Sequence, residues 1–277
     1  MPTPESPTPV AVTRHLKLVP LLHRSSAPIC TFALPLVSPS CPRVLWPSGP
    51  LCLHLLHSAL LSVLYAVLNS VLPLSMPLLS RFPSYAAKPA LAGAWGVVTY
   101  GELAGMIDKV RHELAQLKLD RPTAFGLIGE HSPAATAWLL ALAEAGHFVA
   151  PLSGNATEHP AKLALINAQW IVVAEAKEWK TFPQVDEPSG HPLFRQLEEQ
   201  KAAGLILFSS GTSGTPKAMV QDFGKLLASY ESRRESDLGM LALLGFDHIG
   251  GLNTLLNTLA AGSLLAVPPS RAPADVA

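Results

Sequence analysis

Between Ser209 and Lys217 the chain sets five hydroxyl side chains, two glycines and one lysine into nine positions, directly after the apolar run Leu205–Phe208. These are the parts of an anion cradle. Gly211 and Gly214 let the backbone approach an anion closely, and Ser209, Ser210, Thr212, Ser213 and Thr215 offer hydroxyl donors beside exposed N–H groups. Lys217 adds a positive charge at the rim. The chemistry predicted is the holding of phosphate oxygens.

The Walker loop needs two glycines separated by four residues and followed at once by Lys and Ser/Thr. Here two residues separate Gly211 from Gly214, and Ala218 follows Lys217, so the loop is a different one. The run Ser209-Ser-Gly-Thr-Ser-Gly-Thr-Pro-Lys217-Ala218 resembles the Ser/Thr/Gly-rich signature of the adenylate-forming superfamily, which includes acyl-CoA synthetases, luciferases and peptide-synthetase adenylation domains. Two flanking stretches are similar to family landmarks in the same order: Val98-Thr-Tyr-Gly-Glu-Leu103, and Ala143-Glu-Ala-Gly-His-Phe-Val-Ala-Pro-Leu152. Each alone reads as an ordinary helix start or helix-to-strand turn.

Downstream, Gly245-Phe-Asp-His-Ile-Gly-Gly-Leu-Asn253 resembles the family's substrate-side histidine segment. The resemblance implies that His248 lines the acyl pocket, with Gly250 and Gly251 leaving room for an organic carboxylate. A capping or packing role for His248 stands beside that reading. None of the other nine histidines has a comparable context.

The resemblance further implies attack of a carboxylate oxygen on the α-phosphorus of ATP, giving an acyl-adenylate and pyrophosphate, with Mg2+ accompanying the nucleotide. A thiol, coenzyme A in an acyl-CoA ligase, would then take the acyl group. No metal-ligating residues of the protein are predicted. After Val267 the family's Tyr-Gly-x-Thr-Glu and Thr-Gly-Asp segments and its small C-terminal domain do not follow, so the expectation is a truncated domain over 91–277. Two readings stay open: a ligase acting with a complementary C-terminal half, or a non-catalytic nucleotide- and phosphate-binding remnant.

The elements that must position these residues read as a mainly parallel α/β fold. Thr99 and Glu102 have capping-box spacing, and Leu103, Ile107, Val110, Leu114 and Leu117 mark one helical face. Strands are predicted at Thr123–Ile128, His147–Pro151, Trp170–Val173, Leu205–Phe208, Met240–Phe246 and Leu264–Val267. Helices are predicted from Pro133 to Ala145, Pro160 to Asn167 and Gly250 to Ala261, giving the alternation of a parallel sheet with flanking helices. Ala174 to Ala203, with Pro183, Pro188, Gly190 and Pro192, is expected to wind over the surface.

Residues 1–90 are a different kind of sequence, expected to be a Pro/Leu-rich leader. Six basic residues there face Glu5 alone, and 15 of the 26 prolines and all three cysteines lie there. The whole chain has zero formal net charge, which argues against a nucleic-acid partner. The cysteines lie about ten residues apart without a Cys-x-x-Cys pair, so free thiols and a cytoplasmic location are expected. Leu51 to Leu72 is long enough to cross a bilayer as a helix, but His54, His57, Ser58, Ser62, Asn69 and Ser70 interrupt its apolar character, and Pro73 and Pro77 would break its continuation. Membrane association, a poorly ordered apolar leader, and a stretch that is not natural coding sequence all remain open there.

Overall fold

Thr99 and Glu102 form the box their spacing predicts. Thr99 Oγ1 accepts from the Glu102 N–H at 3.2 Å, and the Glu102 carboxylate accepts from the Thr99 N–H at 2.8 Å. That N–H holds the Glu102 carboxyl below the usual carboxylate range. The computed structural model describes residues 76–154, 156–184, 190–209, 216–270 and 272, with the backbone of Leu16–Leu18. Leu51 to Leu72 lies outside the described residues, among which no helix is long and apolar enough to cross a membrane.

In chain order the strands are β1 (Leu16–Leu18), β2 (Pro89–Gly93), β3 (Gly96–Thr99), β4 (Ala124–Ile128), β5 (Phe148–Leu152), β6 (Trp170–Glu175), β7 (Glu178–Pro183), β8 (Gly204–Ser209), β9 (Lys217–Asp222), β10 (Met240–Leu241) and β11 (Leu265–Ala266). The α-helices are α1 (Pro77–Ser80), α2 (Tyr100–Gln116), α3 (Pro133–Glu144), α4 (His159–Ile166), α5 (Pro192–Glu199), α6 (Phe223–Ala228) and α7 (Ile249–Ala260). One sheet runs β1-β9-β8-β5-β4-β6-β7, and a second runs β10-β11-β2-β3. Strands β8, β5, β4 and β6 are mutually parallel, β7 and β9 turn back antiparallel, and in the second sheet only β3 is antiparallel. The expected mainly parallel α/β architecture is the one observed.

Side chains alternate along these strands and so feed two apolar layers. Phe125, Leu127, Val149, Val172, Leu205 and Leu207 pack with α2, α3, α6 and α7. Ala124, Phe148, Ala150, Ile206 and Val220 pack on the other side with Ile166 of α4 and Phe194 and Leu197 of α5. Helix α3 is buried from Pro133 through Ala143, because a helix apolar on every side has no face to give to water. Ser132 caps its start, accepting from the Ala135 N–H at 3.1 Å. Gly146, at φ +76°, ends it in a conformation that favours glycine.

The packed part begins ahead of the composition change at residue 91. Met76, Leu78, Phe82, Tyr85 and Ala90 join the larger core, and the Phe82 and Tyr85 rings meet Tyr100 edge-on at 5.0 and 5.4 Å. The Tyr100 hydroxyl donates to the Ser263 carbonyl at 2.8 Å, and burial pushes this phenol far up.

Two expectations are corrected, and one strand is added. The stretch Ala174 to Ala203 contains β7 and α5 rather than a surface loop: Pro192 opens α5 instead of breaking a helix, and His191 caps it by accepting from the Leu193 N–H at 3.2 Å. The loop after β8 returns as β9, whose last residue Asp222 caps α6 through the Lys225 N–H at 2.9 Å. The run Met240 to Phe246 pairs only as Met240–Leu241. Its partner β11 is equally short, since Pro268 and Pro269 have no N–H to extend a ladder.

Candidate functional site

Because β4, β5 and β8 are parallel, the residues leaving their C-terminal ends emerge along one edge, where ligands of open α/β sheets bind. The hydroxyl-rich loop leaves β8 at that edge. Ser209, its first residue, lies opposite Lys217 in the β8–β9 register, and both are half-buried. The two ends of the loop are therefore clamped as the base of a hairpin. Ser210, Gly211, Thr212, Ser213, Gly214 and Thr215 lie outside the described residues. A second cation stands below: Lys162 Nζ lies 5.8 Å from the centroid of the Phe208 ring and 3.0 Å from Glu158.

The chain after β5 is tied to the His248 segment. Buried Ser153 donates its hydroxyl to the Asp247 carboxylate at 2.5 Å, and the Glu130 carboxylate accepts from the Gly154 N–H at 3.2 Å. After β4, buried His131 reaches the Leu244 carbonyl with Nε2 at 3.1 Å and stands edge-on to Phe246 with ring centroids 5.3 Å apart. A carbonyl only accepts, so this nitrogen carries the proton. His159 Nε2 lies 3.4 Å from the Ser153 carbonyl on the same argument. Segment 244–247 is thus held on both sides by the ends of the two central strands.

His248 occupies the N-cap position of α7, where its side chain makes no capping bond and is exposed. The capping role open to it is not taken up. Gly250 and Gly251 lie in the first turn of α7. A Cβ on Gly251 would come within 2.0 Å of the Gly245 carbonyl, and one on Gly250 within 2.4 Å of Leu244 Cδ1. Small residues at these two positions let the first turn of α7 sit against Leu244 and Gly245.

Nearby, a cavity of about 400 Å3 lies between Ala94 and Trp95 after β2, Glu130 and His131 after β4, and Val267 to Ser270 after β11. It joins the carboxyl ends of strands from both sheets. Among the described residues no group of three or more His, Cys, Asp or Glu side chains could hold a metal ion.

Glu130, His131, Ser153, His159 and Asp247 were not singled out from the sequence. The Ser153–Asp247 and His131–Leu244 contacts span 94 and 113 residues. The available signal was their place just after predicted parallel strands.

Residues 81–277 match the family model described as AMP-binding enzyme. The chain is 25% identical over 183 residues to a 2-succinylbenzoate–CoA ligase of Bacillus pumilus, covering 59% of this chain and 37% of that protein. It is 24% identical over 163 residues to the nonribosomal peptide synthetase easA of Emericella nidulans, covering 52% of this chain and 2% of that one. Among solved structures it is similar to the Klebsiella oxytoca NpsA N-terminal subdomain in complex with 3-hydroxyanthranilyl-AMSN, with a TM-score of 0.52 and 21% identity over 71% of this chain and 52% of that chain. The chain therefore spans about half of that subdomain and smaller shares of the two relatives.

Proposed function

The chain belongs to the AMP-binding enzyme family, and on that premise we propose that it binds ATP through the loop Ser209 to Lys217 and serves the activation of a small-molecule carboxylate as its acyl-adenylate. The observation that carries this reading is the clamped hairpin base, with Ser209 facing Lys217 at the carboxyl edge of the parallel strands. A carboxylate oxygen forms a bond to the α-phosphorus, the bond from that phosphorus to the bridging oxygen breaks, and pyrophosphate leaves with the negative charge. Lys217 and the hydroxyls and N–H groups of 209–215 neutralise and orient that leaving group. Mg2+ bound with the nucleotide supplies further charge neutralisation.

His248, exposed at the start of α7 beside Asp247, flanks the acyl side of the site, while Gly250 and Gly251 keep that first turn in place. Transfer to coenzyme A makes the activity that of an acyl-CoA ligase, and the CoA ligase among the relatives supports that acceptor. A complementary C-terminal half is the partner proposed for this reading. The second reading is a nucleotide- and phosphate-binding remnant without turnover.

Calorimetric titration of the chain with ATP, together with carboxylate-dependent exchange of labelled pyrophosphate into ATP, separates these. Binding that weakens at least about tenfold in Lys217→Ala is the expected result, corresponding to the loss of one charge-assisted contact. Exchange across a panel of aliphatic and aromatic acids establishes adenylation. Binding without exchange favours the remnant, and absence of binding overturns the proposal.

A further inference from the structure

Between the turn after α6 and β10, residues 233–239 form neither helix nor strand and are exposed apart from half-buried Ser236. The backbone of this stretch is nonetheless held. Arg81 donates to the Arg233 carbonyl at 2.8 Å, the Ser236 N–H donates to the Ala261 carbonyl at 2.9 Å, and the Ser263 hydroxyl donates to the Ser236 carbonyl. Lys88, just before β2, bridges the residues on either side of Ser236, at 3.9 Å from Glu235 and 3.2 Å from Asp237. The result is a fixed, non-helical ribbon whose Arg233 and Arg234 side chains stand in water, three and two residues ahead of a serine.

A pair of guanidiniums at that offset from a hydroxyl, in an accessible and irregular segment, fits the acidic substrate groove of a basophilic protein kinase. Each guanidinium offers a planar fork of donors to a carboxylate of the groove. The cluster makes a poor anion site by itself, because Arg81, Lys88, Arg233 and Arg234 are interleaved with Glu231, Glu235 and Asp237. We propose that Ser236 is a phosphoacceptor for a basophilic serine kinase. Ser236 Oγ forms the new bond to the γ-phosphorus of ATP, the bond to the β–γ bridging oxygen breaks, ADP leaves, and the hydroxyl proton passes to the kinase's base.

The dianion so made lies between two carboxylates already sharing Lys88, so it competes for that ammonium and recruits the exposed arginines. Leu238, whose N–H donates to Ser236 Oγ at 3.2 Å, and the adjoining cavity of about 620 Å3 are the first to feel the change.

The test incubates the folded full-length chain with Mg-ATP and the catalytic subunit of a cyclic-AMP-dependent protein kinase, followed by intact mass measurement and peptide mapping. One phosphoryl group on the peptide containing Ser236 is expected. It should be absent from Ser236→Ala and kept in Ser236→Thr. In Arg233→Ala/Arg234→Ala the initial rate should fall about tenfold or more, as loss of two charge-assisted contacts requires, with the urea midpoint unchanged. No incorporation, incorporation that survives Ser236→Ala, or labelling only after urea unfolding overturns the proposal.

Discussion

The centre of the larger sheet and the rim around β10 are built from the same apolar residue types and meet opposite fates. At the centre β4 and β5 each have a partner on both sides, and α3 above them is buried for eleven consecutive residues. At the rim β10 pairs with β11 alone, over two residues, and Leu238, Met240, Leu243, Leu244 and Ile249 are 76%, 46%, 50%, 52% and 38% exposed. Hydropathy does not separate Leu127 of β4 from Leu243. The supply of backbone partners does, since a strand is buried only where a neighbour's N–H and C=O groups complete its ladder.

The sharpest way to break this comparison is to cut both regions equally. Leu127→Ala, at a fully buried site, should cost about 2–5 kcal/mol, while Leu243→Ala should stay within about 0.5 kcal/mol. Urea midpoints of the two variants check this, and comparable losses would erase the distinction.

The next effect uses protons. Burial pushes the His147 imidazole, beside Phe125 in the central layer, down to about 4, and its Nδ1 accepts the Thr123 N–H at 3.1 Å. The unfolded chain binds this proton near pH 6.5 and the folded chain does not. Stability is therefore complete above that pH and falls as the pH drops from 6.5 towards 4, by up to about 3 kcal/mol. Denaturation between pH 7 and 4.5 should show the loss, and His147→Gln should flatten it.

The smallest effect lies on the rim itself. Gly251→Ala drives a Cβ into the Gly245 backbone and should cost about 1–3 kcal/mol, whereas Gly250→Ala meets only the movable end of Leu244 and should cost less than half as much. Thermal midpoints of the pair decide whether the turn under α7 is rigid.

Legibility followed the same division. Thr99 with Glu102, and Ser132-Pro133 with Gly146, state local rules that tertiary packing then obeyed. The family was legible in the loop after β8 because its motif is contiguous. Pro192 misled because the residue that breaks a helix interior also opens one, and only His191's capping bond distinguishes the cases. Met76 to Tyr85 carried the composition of the preceding segment and joined the core through rings meeting Tyr100. Ser153, His131 and Asp247 acquire meaning only when distant strands align their ends, which no local window contains.

The proline pair after β11 has a further consequence. Strand edges with long rows of N–H and C=O groups recruit other chains into growing sheets, and exposed leucines beside such an edge make that association worse. Pro268 and Pro269 end the ladder just after Ala266, so the leucines of the β10 rim adjoin an edge two residues long. Among the described residues, this cluster of exposed apolar side chains is thereby given almost no template for aggregation.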